Sequence, residues 1–345
     1  MKVGWKGALG FVLSALLVWY TLRGVDLVDV WEQVRVANFG LLAASLTVAL
    51  LGYALRAVRW KILLYPVDRA TGFWNRCRAL FIGFMANNLL PARVGEFARA
   101  YALGRMESRV SASAAFGSLV VERVLDGLVL GGFLLGATLL PGFPGDALGE
   151  SFSAMLVGAT TLMGILLGGL VVLLLFPRPV VRIVEYVARF LPSGLARLLV
   201  DAMEAFLASL GVVRSPGLLF LALLWSVAFW LWHGLSFYLG MLAFGIDLGL
   251  VAALFTEAVV GFAVALPAAP GFFGTFHVGA QFALETVYGA GANETLAFAY
   301  AYHLGGFIPV TLLGLWFVRD VGLSLREVGA SEEAVEEAVE EELEL

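Results

Sequence analysis

The fold is decided by two stretches, Leu90-Pro91-Ala92-Arg93-Val94-Gly95-Glu96-Phe97 and Leu266-Pro267-Ala268-Ala269-Pro270-Gly271-Phe272-Phe273, which share L-P-A-x-x-G-x-F and lie 176 residues apart. Proline and glycine break helices, and the backbone groups they free find no partner in hydrocarbon, so such segments line a protein-enclosed cavity. The repeat therefore predicts two broken helical hairpins. Their predicted hinges are Pro91, Gly95, Pro267, Pro270, Gly271 and Gly274. Two unrelated kinks are the simpler alternative.

The composition predicts an all-α polytopic membrane protein. Hydrophobic residues make up 61% of the 345 positions and charged residues 14%, far from the values of soluble domains. Most long apolar runs approach the roughly 20 residues that cross a bilayer, which predicts about six full spans. The first run follows Lys2 and Lys6 but has no small-residue cleavage site, so we expect a retained helix. The apolar runs are 7–22, 39–55, 127–140, 152–176, 217–244, 249–266 and 295–318.

The basic residues predict the orientation. With both termini in the cytoplasm of a cell (inner) membrane, cytoplasmic segments hold 19 of the 22 Lys and Arg residues, as the positive-inside rule requires. This arrangement works only if residues 79–105 enter and leave from the inside and residues 249–284 from the outside. Both segments are therefore predicted to be re-entrant hairpins.

An inverted repeat follows from that topology. Residues 38–140 read as span, inner hairpin, span, and residues 217–318 repeat this order with the opposite orientation, as in many transporters. Together they form one membrane domain over residues 1–330. Residues 177–216 are predicted to be cytoplasmic interfacial helices, and residues 331–345 a solvated acidic tail that holds eight of the 27 acids.

Charged residues near the bilayer centre form the candidate substrate site. A helix from residue 79 climbs to the midplane near Pro91, and an apolar membrane tolerates charges there only when they face protein or water. Arg123 is three residues from Asp126 and can pair with it. Structural ion pairs to Arg93 or Arg99 are an equally good interpretation. The candidate substrate-binding residues are Asn87, Asn88, Arg93, Glu96, Arg99, Glu122, Arg123 and Asp126.

A second set of residues is suited to proton coupling. Glu257 lies within an apolar run, and His277 and His303 also fall in membrane segments. Packed, hydrogen-bonded side chains are the simpler interpretation. The histidines lack close ligand spacing, and no nucleotide-binding motif is present, so we expect no metal and no cofactor.

Four motifs of the chain form a specific combination. They are Arg56-x-x-Arg59-Trp60-x-x-Leu63-Leu64, Asn87-Asn88-Leu89-Leu90-Pro91-Ala92-Arg93-x-Gly95-Glu96, Glu122-Arg123-x-x-Asp126 and Pro270-Gly271-x-x-Gly274. Together they resemble the flippase-like membrane family typified by the transmembrane half of lysylphosphatidylglycerol synthase. The resemblance covers nearly all of residues 5–320 and implies movement of a lipid or lipid-linked headgroup between leaflets. It also implies that Arg93, Glu96, Glu122, Arg123 and Asp126 serve this function. The soluble aminoacyltransferase domain of the synthase is not expected here.

The sequence therefore favours a lipid translocase that is not an enzyme, with membrane lipids carrying an anionic or lipid-linked headgroup as partners and no nucleic acid. Homo-oligomerisation is left open. One alternative is a membrane-embedded enzyme that uses Glu122, Asp126 or His303 as acid or base on a lipid-linked substrate. The other is a scaffold that docks partners through the acidic tail or the basic segment 56–78.

Overall fold

The computed structural model describes residues 5–23, 25–145, 215–265 and 269–335, with isolated positions between 149 and 212. Every regular element in these ranges is helical, which confirms the all-α prediction. Four predicted features lie wholly or partly outside the described residues. They are the apolar run at 152–176, the interfacial helices at 177–216, the hinge at Pro267 and the tail beyond residue 335.

The described part of the chain contains eleven α-helices. Short 3-10 turns interrupt it at Pro91–Arg93 and Pro270–Phe272, and a π-helical segment, Phe282–Val287, follows the helix Thr275–Gln281. The α-helices are α1 (Trp5–Leu22), α2 (Leu27–Val36), α3 (Phe39–Leu64), α4 (Phe73–Leu89), α5 (Gly95–Met106), α6 (Ala112–Thr138), α7 (Pro216–Ala243), α8 (Gly249–Ala265), α9 (Thr275–Gln281), α10 (Ala292–Asp320) and α11 (Leu325–Gly329).

Three described helices, α3, α7 and α10, are long and apolar enough to cross a membrane, and α8 and part of α1 are apolar but shorter. The predicted run at 152–176 falls partly outside the described residues. Helix α2 was not predicted. It begins where the Asp26 carboxylate accepts a hydrogen bond from the Val28 backbone N–H at 2.8 Å, a local cap that apolar periodicity does not reveal.

The chain forms two compact units. Unit 1 comprises Met1–Gly52, Gly127–Met163 and Val227–Val310, and unit 2 comprises Tyr53–Asp126, Gly164–Ser226 and Thr311–Leu345. The first hairpin, made of α4, the turn Pro91–Arg93 and α5, belongs to unit 2. The second hairpin, made of α8, the turn Pro270–Phe272 and α9, belongs to unit 1. Each unit therefore contains one of the two broken segments that the sequence repeat predicted.

The arms of the first hairpin pack at backbone distance. A Cβ atom on Gly83 would lie 2.6 Å from the Gly95 carbonyl oxygen and 2.8 Å from the Arg99 Cβ, so only glycine fits. The turn ends with Arg93 at a φ of 58°, in the left-handed region that costs an L-residue about 1–2 kcal/mol. The Gly95 N–H donates to the Asn87 side-chain oxygen at 2.8 Å, which caps α5.

The second break resembles the first in having a proline at the start of its turn and a left-handed non-glycine residue at its end. Gly271 and Gly274 also have positive φ, whereas of Pro91–Gly95 only Arg93 does. The second turn begins with Pro270 and ends with Phe272 at a φ of 60°, and Gly274 at a φ of 91° precedes α9. Each break therefore spans five residues: a proline first, a left-handed residue other than glycine third, and a glycine fifth. In this alignment Arg93 is equivalent to Phe272, 179 residues later. The backbone equivalence thus differs by three positions from the 176-residue spacing of the shared letters.

Helix α1 braces the second hairpin from outside it. The Ala269 backbone N–H donates to the Ser14 hydroxyl at 2.8 Å. The Thr21 and Tyr300 hydroxyls are 3.2 Å apart. A Cβ atom on Gly274 would lie 2.7 Å from the Leu17 side chain, so glycine is needed there for spacing as well as for its positive φ. These contacts tie the first helix of the chain to the second break and to α10 within unit 1.

The C-terminal segment packs into the core of unit 2. Ser324 caps the start of α11. Its backbone N–H and its hydroxyl both donate to the Glu327 carboxylate, and these hydrogen bonds lower the pKa of that carboxyl. Val328 and Val335 are buried in the same core as Cys77, the sole cysteine of the chain, which lies on α4. The prediction of a solvated tail over 331–345 is wrong for residues 331–335, which are helical and packed, and the remainder lies outside the described residues.

Candidate functional site

Six charged side chains converge inside unit 2. Helix α3 supplies two arginines one turn apart, α5 supplies a third from the first hairpin, and α6 supplies a fourth with two carboxylates at helical spacing. These i, i+3 and i, i+4 spacings place each set on one helix face. We call this group the arginine cluster, and its members are Arg56, Arg59, Arg99, Glu122, Arg123 and Asp126.

Glu122 is the centre of the arginine cluster. Its side chain is fully buried, and its two oxygens accept from Arg99 Nη1 and Nη2 at 2.8 and 3.0 Å. The Glu122 Oε1 atom also lies 3.1 Å from Arg59 Nη2 and 2.5 Å from Arg123 Nη2. A buried carboxylate is stable only when such donors replace its water, so these three arginines account for an acidic residue at this depth. Arg56 lies farther away, at 3.9 Å.

Arg59 joins the two carboxylates. Besides Glu122, it forms an ion pair with Asp126, and its Nη1 atom donates to the Ser226 hydroxyl at 3.2 Å. Arg123 lies 3.3 Å from Asp126, which confirms the predicted i, i+3 pair. Sequence reasoning quoted Arg59 only as part of a family motif and did not place it in the site. The signal was present, since a motif Arg in an apolar helix requires a buried acidic partner.

Aromatic rings support two of the arginines. The Arg99 guanidinium carbon lies 3.8 Å from the centroid of the Trp60 ring, and the Trp60 indole N–H donates to the Ser118 hydroxyl at 2.9 Å. The Arg56 guanidinium lies 5.2 Å from the Phe84 ring. Guanidinium groups stack well on aromatic faces, so these rings fix the orientation of the charges in a dry environment.

The arginine cluster carries more positive than negative charge. Four arginines and two carboxylates give a net charge of +2. The members differ in access, since the Arg59 and Glu122 side chains are 0% exposed whereas the Arg123 side chain is 44% exposed. The buried members form a rigid base, and Arg123 presents part of the positive charge at the surface of unit 2.

The predicted residues at the first break form hydrogen bonds within the hairpin and to a neighbouring helix. Asn87 accepts from the Gly95 N–H and its amide lies 3.4 Å from Glu96, while the Asn88 amide donates to the Thr311 hydroxyl at 2.9 Å. Both asparagines therefore help to hold the hairpin in place. Arg93 is half-buried and lies within electrostatic range of Glu96 and Arg123.

Unit 1 holds the predicted proton-coupling residues in two places. Glu257 is buried and pairs with His233, a residue that the prediction did not select, at 2.5 Å. The fully buried His277 accepts from the Gly274 N–H at 3.3 Å and stacks on Tyr300 with ring centroids 3.8 Å apart. The His277 and His303 rings are 5.1 Å apart. Within the described residues, no group of three potential ligands could hold a metal ion.

Comparison with known proteins identifies the family. The family model described as lysylphosphatidylglycerol synthase TM region matches residues 7–314. The chain belongs to this family. The matched range includes both hairpins, the arginine cluster and the His233–Glu257 pair. The predicted resemblance is confirmed, and the chain is a polytopic membrane protein.

The chain is also similar to a curated protein, glycosyltransferase AglD from Haloferax volcanii, with 26% identity over 297 residues. The similar region covers 78% of this chain and 47% of the relative, so the chain spans about half the length of that protein. No solved structure matches the chain.

Proposed function

We propose that this protein is a lipid translocase that binds the anionic headgroup of a phospholipid or lipid-linked substrate at the arginine cluster. The observation that carries the proposal is a buried group of net charge +2 with Arg123 at its exposed edge. Charge of this kind is costly in an apolar membrane protein and marks a substrate or ion pathway. Membership of a family named for a lipid-modifying enzyme supports a lipid substrate.

The chemistry of the arginine cluster favours phosphate over a neutral headgroup. Guanidinium groups donate two parallel hydrogen bonds to phosphate or carboxylate oxygens, and such charge-assisted bonds are the strongest in proteins. In the bound state a phosphodiester would offset part of the excess positive charge. Arg123 is the group that would touch the headgroup first. Arg59 and Arg99 would hold Glu122 in place, and Glu122 would in turn position Arg123.

The proposed path requires the two hairpins to be re-entrant and related by an inverted repeat in the cell membrane, with both termini in the cytoplasm. The shared Pro, left-handed residue and Gly geometry of the two breaks supports the repeat. Single-cysteine variants at residues 91–97 and 270–274 should be protected from membrane-impermeant maleimide in intact cells. Rapid labelling of both segments from bulk solvent would contradict the topology.

Transport can be tested in proteoliposomes with fluorescent phospholipids of anionic and zwitterionic headgroup and a polyprenyl-phosphate lipid. Arg123→Gln should slow transfer of the anionic lipids about tenfold or more, since a charge-assisted hydrogen bond contributes about 1.5–3 kcal/mol. Arg78→Gln is the matched control, because Arg78 on α4 forms an exposed pair with Asp320 at 3.0 Å. Equal losses in both variants, or no headgroup-dependent transfer by the wild-type protein, would refute the proposal.

A membrane-embedded enzyme is the second candidate, and the name of the glycosyltransferase relative favours it. In this chain Glu122 and Asp126 both accept from arginines, an arrangement that suits charge stabilisation better than proton transfer. Mass spectrometry of a lipid extract incubated with purified protein separates the candidates. A new product mass that Glu122→Gln abolishes would establish the enzyme, whereas transport changes location and leaves every mass unchanged.

A further inference from the structure

We infer that His233 and Glu257 form a proton-binding site in unit 1, and that this site supplies the coupling ion for transport. The two side chains face each other from α7 and α8, with His233 Nδ1 2.5 Å from Glu257 Oε1. The proton site itself is independent of the proposed function, and only its coupling to lipid transfer rests on that function.

The chemistry of this pair differs from that of the arginine cluster. Arginine stays charged at every physiological pH, so the ion pairs of unit 2 hold a fixed charge. Imidazole is the side chain that gains and loses a proton between pH 5 and 8. With one shared proton the His233–Glu257 pair is neutral overall, and without it the pair carries one buried negative charge. The pair therefore binds and releases one proton with a change in net charge at a membrane-embedded position.

The packing around the pair fixes its geometry. A Cβ atom on Gly234 would lie 3.0 Å from Glu257 Oε2 and would collide with the Leu254 side chain, so glycine at this position lets α8 approach α7. Three aromatic rings surround the imidazole, with Phe229, Trp230 and Phe237 centroids 5.8, 5.9 and 5.6 Å from it. These rings pack around the imidazole of the side chain that contacts Glu257.

The histidine is the exposed member of the pair. The His233 side chain is 26% exposed and the Glu257 side chain 1% exposed. Aromatic rings lie between His233 and three described titratable side chains, Tyr302, His303 and His277. Phe237 stands between His233 and Tyr302, with its centroid 4.8 Å from the tyrosine ring. Phe237 also contacts Phe276, whose ring lies 4.6 Å from His303 and 5.7 Å from His277.

Two spectroscopic measurements test the proton site without any transport. The chain has three histidines, so protein labelled with 15N-histidine gives three sets of ring signals, which single His→Gln variants assign. Infrared difference spectra report a protonated carboxylic acid. Between pH 5 and 8, either the His233 ring signals or a carboxylic acid band lost in Glu257→Gln should titrate. If neither changes over this range, the site is refuted.

The effect of removing Glu257 on the pH response of His233 distinguishes a coupled pair from an isolated histidine. In Glu257→Gln the pH dependence of the His233 ring signals should change, because the carboxylate that contacts the imidazole is gone. Glu285→Gln is the matched control, since Glu285 belongs to the same unit and accepts from Gln281 at 3.3 Å. A His233 titration that is the same in Glu257→Gln and in the control would overturn the assignment.

Coupling is tested in the proteoliposomes with an imposed pH gradient. Wild-type lipid transfer should respond to the gradient, and His233→Gln and Glu257→Gln should transfer lipid at a rate independent of it. Wild-type transfer that ignores the gradient would refute the coupling. If the protein moves no lipid, the spectroscopic titration still decides the proton site, so failure of the proposed function and failure of this inference give different results.

Discussion

Glu122→Gln is the substitution that probes the arginine cluster most directly. The Glu122 carboxylate is fully buried and lies within 3.1 Å of nitrogens from Arg59, Arg99 and Arg123. The amide keeps the shape of the side chain and removes its charge, so the net charge of the cluster rises from +2 to +3 without water to screen it. Removing one partner of a buried ion pair costs about 3–5 kcal/mol, and we expect a destabilisation of this size.

The assay is unfolding in mixed micelles, followed by loss of helical circular dichroism as the denaturing detergent increases. Arg99→Gln combined with Glu122→Gln restores the net charge of +2, so the double variant should be more stable than the sum of the single variants by about 1–3 kcal/mol. Arg78→Gln, which breaks an exposed pair, should cost no more than about 1 kcal/mol. The reasoning fails if Glu122→Gln costs as little as this control or if the double variant shows no coupling.

Three further substitutions test the hairpins and the C-terminal segment by the same unfolding measurement. Gly83→Ala should destabilise the protein by about 1–3 kcal/mol, because its Cβ would lie 2.6 Å from a backbone oxygen of α5, whereas Gly132→Ala, with open space around it, should not. Arg93→Gly should be about 1 kcal/mol more stable than Arg93→Ala, and equal stabilities would contradict the left-handed backbone there. Val328→Ala should cost about 1–2 kcal/mol, while removal of residues 336–345 should leave the packed core intact; the reverse order would refute the docking of α11.

Local features of the chain were predictable from the sequence. The helical runs, the two breaks and the Arg123–Asp126 pair depend on residues that are close in the chain, where helical spacing and helix breakers fix the geometry. The family resemblance, which the family model confirms, depended on motifs of the same short range.

Contacts between distant helices were not predictable. Arg59 and Asp126 are 67 residues apart, and His233 and Glu257 are 24 apart, so no spacing rule relates them. The equivalence of the two breaks was shifted by three positions for a different reason. The sequence alignment matched identical Leu, Pro and Ala residues. The backbone alignment instead matches residues with positive φ, and Arg93 and Phe272 share that φ although their side chains differ.

The position of Cys77 has a practical consequence for spectroscopy. It is the single thiol in 345 residues, and it is 5% exposed within the core of unit 2. A spin label or fluorophore introduced through a new surface cysteine therefore meets little background reaction in the native sequence. Distances across each hairpin can therefore be measured from labels on new surface cysteines without replacing Cys77.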